Sequence, residues 1–211
     1  MTSRATTANR QSQRAARREE IVDLAAQLFA ANGYAETGIR EIGDAAQLAR
    51  GALYYYIESK ESLLGEIHDR VMDPLLEQAS SIKSLNVDAA ARIRLLSEVL
   101  LRQVIERHDH VWVFLHEYRA LTGERRATFR KKRAEFEQII LDLLREGVDR
   151  GEFHIDDTKS TMLAFLGMHN YTYQWIHTHP SPAPAALSKI YCDIFLYGIA
   201  KPSAELTAAT V

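Results

Sequence analysis

Between Thr37 and Lys60 the chain collects side chains that bind phosphate oxygens and base edges. Thr37 and the consecutive Tyr54, Tyr55 and Tyr56 offer hydroxyls, Lys60 a point charge, and Arg50 a planar guanidinium able to bond guanine bidentately. This chemistry needs two short helices held at a fixed angle. Ile39 and Ile42 share one face of the first helix, and Gly43 is small enough to let a second helix cross closely. The second helix, predicted over about Arg50 to Tyr56, presents Arg50 and Gly51 at its front, where recognition helices meet bases. Leu53 points inward, and the tyrosines sweep around one turn so that at least one hydroxyl faces outward. The layout is that of a helix-turn-helix.

No competing chemistry is written in the chain. The sequence holds no G-x-S-x-G, no G-x-x-x-x-G-K and no G-x-G-x-x-G following a strand. His108 with His110, and His177 with His179, stand two apart and so on different helix faces, without the i, i+4 spacing or cysteine partners of a zinc site. No metal, cofactor or catalytic residue is therefore expected. A meeting of His116, His169 and His177 in space, and an enzyme on an all-helical scaffold, stay open as alternatives.

The stretch from Thr37 to Leu63 resembles the DNA-binding domain of the TetR family of bacterial transcriptional regulators, whose pattern runs T-x-x-x-I-A, a turn, then G-x-L-Y-x-[HY]-F-x-x-K-E-x-L. The matching positions are Thr37, Ile42, Gly51, Leu53, Tyr54, Tyr56, Lys60, Glu61 and Leu63. Departures are Gly43 for alanine, Gln47 for the turn glycine, Ala49 for a phosphate-binding serine, and Ile57 for phenylalanine. A left-handed Gln47 would cost on the order of 1 kcal/mol. The resemblance implies phosphate contacts from Thr37, Tyr54, Tyr56 and Lys60, and base-edge positions for Arg50, Gly51 and Tyr55. Thr37 also sits where an N-cap is expected.

Composition agrees. Of 211 residues 46% are hydrophobic, enough for a packed core, and no apolar run approaches bilayer length. The lone Cys192, the lack of a leader-like apolar stretch and a net charge of −2 suit a bacterial cytoplasmic protein, associated with the nucleoid when on DNA. Residues 1–18 carry Arg4, Arg10, Arg14, Arg17 and Arg18 without an acid, and read as a flexible basic arm able to follow phosphates or enter a minor groove. The head follows over 19–62, a helical effector-binding and dimerisation domain over 63–200, and a polar tail over 201–211.

All periodic segments read as helix, giving an all-α fold of about nine helices, three in the head and six behind it. Asn32-Gly33 stops the first, and Pro74 is expected to kink or end the helix that follows Ser59. Behind the head, large aromatics alternate with polar groups in the manner of either a core or a pocket for a largely apolar ligand. Phe114, Tyr118, Phe165, His169 and Tyr173 are the candidates for its lining. The segment from Gly167 to Pro180 is similar to the C-terminal part of family members that sense acyl-CoA thioesters, and the basic run Arg125, Arg126, Arg130, Lys131, Lys132 and Arg133 can meet phosphates of such an effector, or be a solvated helix face. A multidrug-type or other apolar effector stays open. One head reads a short half-site, so a homodimer on a palindromic DNA operator is expected, joined through Leu166, Tyr171, Leu187, Ile190, Ile194, Phe195 and Leu196. The reading is a repressor released by a small molecule, with activation not separable by sequence.

Overall fold

The computed structural model describes residues 2–177 and 183–199, with side chains from Gln11 onward. The tail over 201–211, the proline-punctuated segment 178–182 and the side chains of Arg4 and Arg10 lie outside the described residues. Among the described residues the regular structure is helical: α1 (Thr2–Asn32), α2 (Ile39–Ala45), α3 (Arg50–Leu53), α4 (Lys60–Lys83), α5 (Ala89–Glu106), α6 (His108–His116), α7 (Gly123–Asp149), α8 (Thr158–Tyr171) and α9 (Pro184–Ile199). Short 3₁₀ turns follow α6 at Tyr118–Ala120 and α8 at Thr172–Gln174.

Two compact units result, Met1–Val71 with His108–Phe129, and Met72–Arg107 with Arg130–Val211. Three small helices cannot bury the apolar face of α1 alone, and the core of the first unit shows what completes it. Ile21, Val22, Ala25 and Phe29 of α1 meet Ile42, Leu53, Leu64 and Ile67, and are joined by Val113 of α6 and Phe129 of α7.

Local signals explain the ends of these helices. Gly33, at φ 86°, closes α1 by donating its N–H to the Phe29 carbonyl at 3.0 Å. The turn between α2 and α3 does put Gln47 at φ 54°. Gly43 packs closely beside it: a β-carbon there would lie 3.0 Å from the Leu48 carbonyl oxygen, a tight contact that the turn would have to ease by a few tenths of an ångström. Asp88 and Asp157 cap α5 and α8 through bonds from Ala91 and Lys159.

Two expectations are corrected. Residues 2–18 form the opening turns of α1 and not a flexible arm, because Arg14, Arg17 and Arg18 find partners within the first unit. Of the kink or end expected at Pro74, the end does not occur, since α4 runs nine residues further to Lys83. Its missing N–H costs one bond, but the buried Val71, Met72, Leu75, Ala79 and Ile82 keep the helix on its core.

In the second unit α5 and α9 pack together, with the Ser188 hydroxyl donating to the Arg94 carbonyl at 3.1 Å and Arg94 paired with Asp193 at 2.9 Å. Buried Arg92 grips Glu146 bidentately at 2.8 Å on both arms. That pairing holds the Glu146 carboxyl below its usual range. Leu187, Phe195 and Leu196, expected at a dimer contact, are instead in this unit's own core, Phe195 with its ring 5.2 Å from that of Phe165. Ile190, Ile194 and Tyr197 occupy the opposite, exposed side of α9.

Candidate nucleic-acid interface and effector site

The reading helix is one turn long. Ala49 caps α3 in extended conformation, Leu53 is fully buried, and Arg50, Gly51 and Ala52 are exposed. The helix stops before the tyrosines, which occupy the turn that follows. Tyr54 and Tyr55 are exposed, while Tyr56 is half-buried against the core with its ring edge-on to Tyr55 at 5.1 Å. The Arg50 guanidinium lies 5.9 Å from the Tyr54 ring, close enough for the ring to steady it. A concavity of about 480 Å³ separates α2 from the front of α3, with Arg50 on one wall and Arg40 on the other. Arg40 is almost fully exposed and only loosely tied to Asp44, at 3.8 Å. Sequence reasoning passed over it, although its place between Ile39 and Ile42 already puts it on the outer face of α2.

Thr37 is corrected. Gly38 is the N-cap of α2, and Thr37 is fully buried, its hydroxyl donating to the Gly33 carbonyl at 2.9 Å. Buried against the carbonyls of Gly33 and Leu28, the hydroxyl is out of reach of a phosphate. Lys60, expected as a phosphate contact, is half-buried and donates to the carbonyls of Tyr34 at 2.7 Å and Thr37 at 3.0 Å.

The effector candidates fall in different units. In the first, Phe114 and Tyr118 surround Phe129, at ring distances of 5.4 and 5.9 Å. The buried His68 ring meets Phe129 edge-on at 5.1 Å. Its Nδ1 lies 2.8 Å from the Leu64 carbonyl, which can only accept, so the proton is on Nδ1. Nε2 is then a buried acceptor, and it has no hydrogen-bond partner. Burial pushes the His68 pKa down, keeping the ring neutral. A pocket of about 320 Å³ runs along His68, Gly65, Arg125 and Phe129.

In the second unit Phe165 and His169 are core. His169 spends Nδ1 on the Phe165 carbonyl and Nε2 on the Ser97 hydroxyl, both at 2.7 Å, and neither nitrogen is left for a ligand. Burial lowers its pKa to about 4. Tyr173 is half-buried and bonded by the Gln174 amide. In the basic run of α7, Lys132 meets Asp73 at 2.5 Å and Arg133 meets Glu137 at 2.9 Å, the pattern of an acid-matched helix face. Among the described residues no group of three His, Cys, Asp or Glu side chains is placed to hold a metal ion, and no helix is long and apolar enough to cross a membrane.

Comparison with known proteins agrees with this arrangement. Residues 21–67 match the model for bacterial regulatory proteins of the tetR family, and residues 86–199 that for a tetracyclin repressor-like C-terminal domain. The HTH-type transcriptional repressor KstR2 of Rhodococcus jostii (strain RHA1) is 30% identical over 193 residues, spanning 90% of this chain and 95% of that protein. The solved structure of the ketosteroid transcriptional regulator KstR2 of Mycobacterium tuberculosis aligns with a TM-score of 0.82 at 24% identity, over 88% of this chain and 96% of that one, which speaks to fold alone. AibR, solved in complex with isovaleryl coenzyme A and operator DNA, aligns with a TM-score of 0.75 at 25% identity, over 89% and 100% of the two chains.

Proposed function

Because the chain belongs to the TetR family of bacterial regulatory proteins, we propose that it is a ligand-responsive repressor that acts in the cytoplasm as a homodimer on a palindromic operator. The families and relatives it matches are transcriptional regulators and not enzymes. The observation that carries the reading is the exposed front of α3, where Arg50 and Gly51 stand clear of the core on a helix whose Leu53 is fully buried.

In this reading residues 19–62 form the reading head and 63–200 bind effector and partner. Arg50, Gly51 and Tyr55 approach base edges; Tyr54, Tyr56 and Lys60 approach phosphates, Lys60 from its bonded position. Thr37 contributes only by setting the backbone before α2. The effector is a CoA thioester, a class supported by the isovaleryl coenzyme A named with AibR. Phe114, Tyr118 and His68 of the first unit would meet it. It would act through α4, which begins directly after the head. Coupling requires only that the ligand bind the two states of the dimer unequally.

Binding to DNA upstream of the protein's own gene, followed against salt, tests the reading. Wild type should bind tightly, and Arg50→Ala should lose about 1–3 kcal/mol while relaxing preference at one base pair. Isovaleryl coenzyme A and longer acyl-CoA esters should raise Tm and release the DNA. Failure on both upstream DNA and sequences selected from a random pool would overturn the regulator reading; silence across the thioesters would overturn the effector class.

A further inference from the structure

We propose that Arg14, Arg17 and Arg18 are positioning residues that hold the reading helix from behind, and that they are not phosphate ligands. The proposal rests on the DNA-binding reading above. The three occupy one face of α1 at i, i+3 and i+4. Each reaches a backbone carbonyl at the trailing end of α2 or of the turn after α3. Arg14 donates from Nη2 to the Tyr55 carbonyl at 3.0 Å, with its guanidinium 4.5 Å from the Tyr55 ring centre. Arg17 donates to the carbonyl of Ala46, the C-cap residue of α2, and is paired with Glu20. Arg18 donates from Nε to the Tyr56 carbonyl at 3.2 Å and pairs with Glu66 of α4 at 2.6 Å.

A four-residue helix cannot sustain itself, since one turn fixes more backbone freedom than its bonds return. The guanidinium groups hold it from outside, through the carbonyls of Tyr55 and Tyr56 in the turn that follows it and of Ala46 at the end of α2. The bracing reaches α4 as well: Arg70 meets Glu66 at 3.1 Å, Asp23 at 2.9 Å and Glu19 at 3.0 Å, so Glu66 is shared between Arg18 and Arg70. The orientation of Arg50 and Tyr55 is thereby tied both to α1 and to the start of α4.

A phosphate ligand and a positioning residue differ in salt dependence. Removing a phosphate contact flattens the slope of log K against log salt by about 0.9; removing a brace weakens binding equally at all salt concentrations. The experiment takes the full chain and a duplex of its own upstream DNA, with Arg17→Ala, Arg18→Ala and the charge-retaining Arg17→Lys. Each variant is expected to bind about tenfold more weakly with the wild-type slope, as loss of roughly one charge-assisted bond requires. Hydrogen exchange without DNA should quicken at the amides of Leu53, Tyr54, Tyr56 and Ile57. A flattened slope with unchanged exchange, or rescue by Arg17→Lys, would overturn the proposal and make these side chains phosphate ligands. Should wild type not bind DNA, the regulator reading fails, while the exchange measurement still decides whether the braces exist.

Discussion

Lys60 holds its ammonium 2.7 Å from the carbonyl oxygen of Tyr34 and 4.3 Å from the centre of the same residue's ring. Together with the Thr37 carbonyl at 3.0 Å, this ties the start of α4 to the loop between α1 and α2. A lysine that serves as a loop brace should count toward stability. Lys60→Ala is expected to destabilise the protein by about 1–3 kcal/mol, since it strips carbonyls of a charged donor. Calorimetry reads this directly, and an unchanged Tm would mean that the ammonium stands in water.

The pair His169 and Ser97 gives the second unit a pH dependence of definite sign. The buried ring stays neutral down to about pH 4, whereas the unfolded chain takes up its proton near 6.5. Between those values the unfolded state binds more protons, so stability rises with pH. The contribution is fully present above 6.5 and is lost as pH falls toward 4, on the order of 3 kcal/mol in all. His68, with its pKa shifted the same way, adds to the trend. Urea unfolding of wild type and His169→Gln at pH 7.5 and 5 separates this group from the carboxylates. The variant should be less stable at pH 7.5 and show a smaller drop on acidification; equal drops would mean that His169 is solvated.

What the sequence revealed and concealed follows from the range of each interaction. The turn at Gln47 and the stop at Gly33 were legible because the backbone geometry that sets them lies within a few residues. Thr37 was misread for a related reason: local spacing fits an N-cap, but the carbonyl of Gly33 four residues back is the nearer acceptor. The braces of Arg14, Arg17 and Arg18 span about thirty to forty residues of chain, and without the fold a run of arginines in a polar segment looks like a disordered arm. The aromatic list behind the head divided between two cores for the same reason. Periodicity marks a face as apolar but not which neighbour covers it.

The outer side of α9 carries the remaining prediction. Ile190, Ile194 and Tyr197 recur at i, i+4 and i+7, 52%, 63% and 80% exposed, and Tyr171 and Leu163 of α8 are exposed in the same unit. The inner side is already consumed by Leu187, Phe195 and Leu196 against the unit's own core, so among the described residues the stripe is left uncovered. Large apolar side chains repeated on one helix face are costly in water and typical of self-association through a two-fold axis. Ile194→Asp should convert a dimer to a monomer in light scattering at micromolar concentration. Its Tm should fall toward that of the isolated monomer, because the partner no longer stabilises the folded chain. Operator affinity should fall sharply, since a single head reads only one half-site. A variant that remains dimeric would place the partner contact elsewhere, and a wild type that runs as a monomer would remove the dimer altogether.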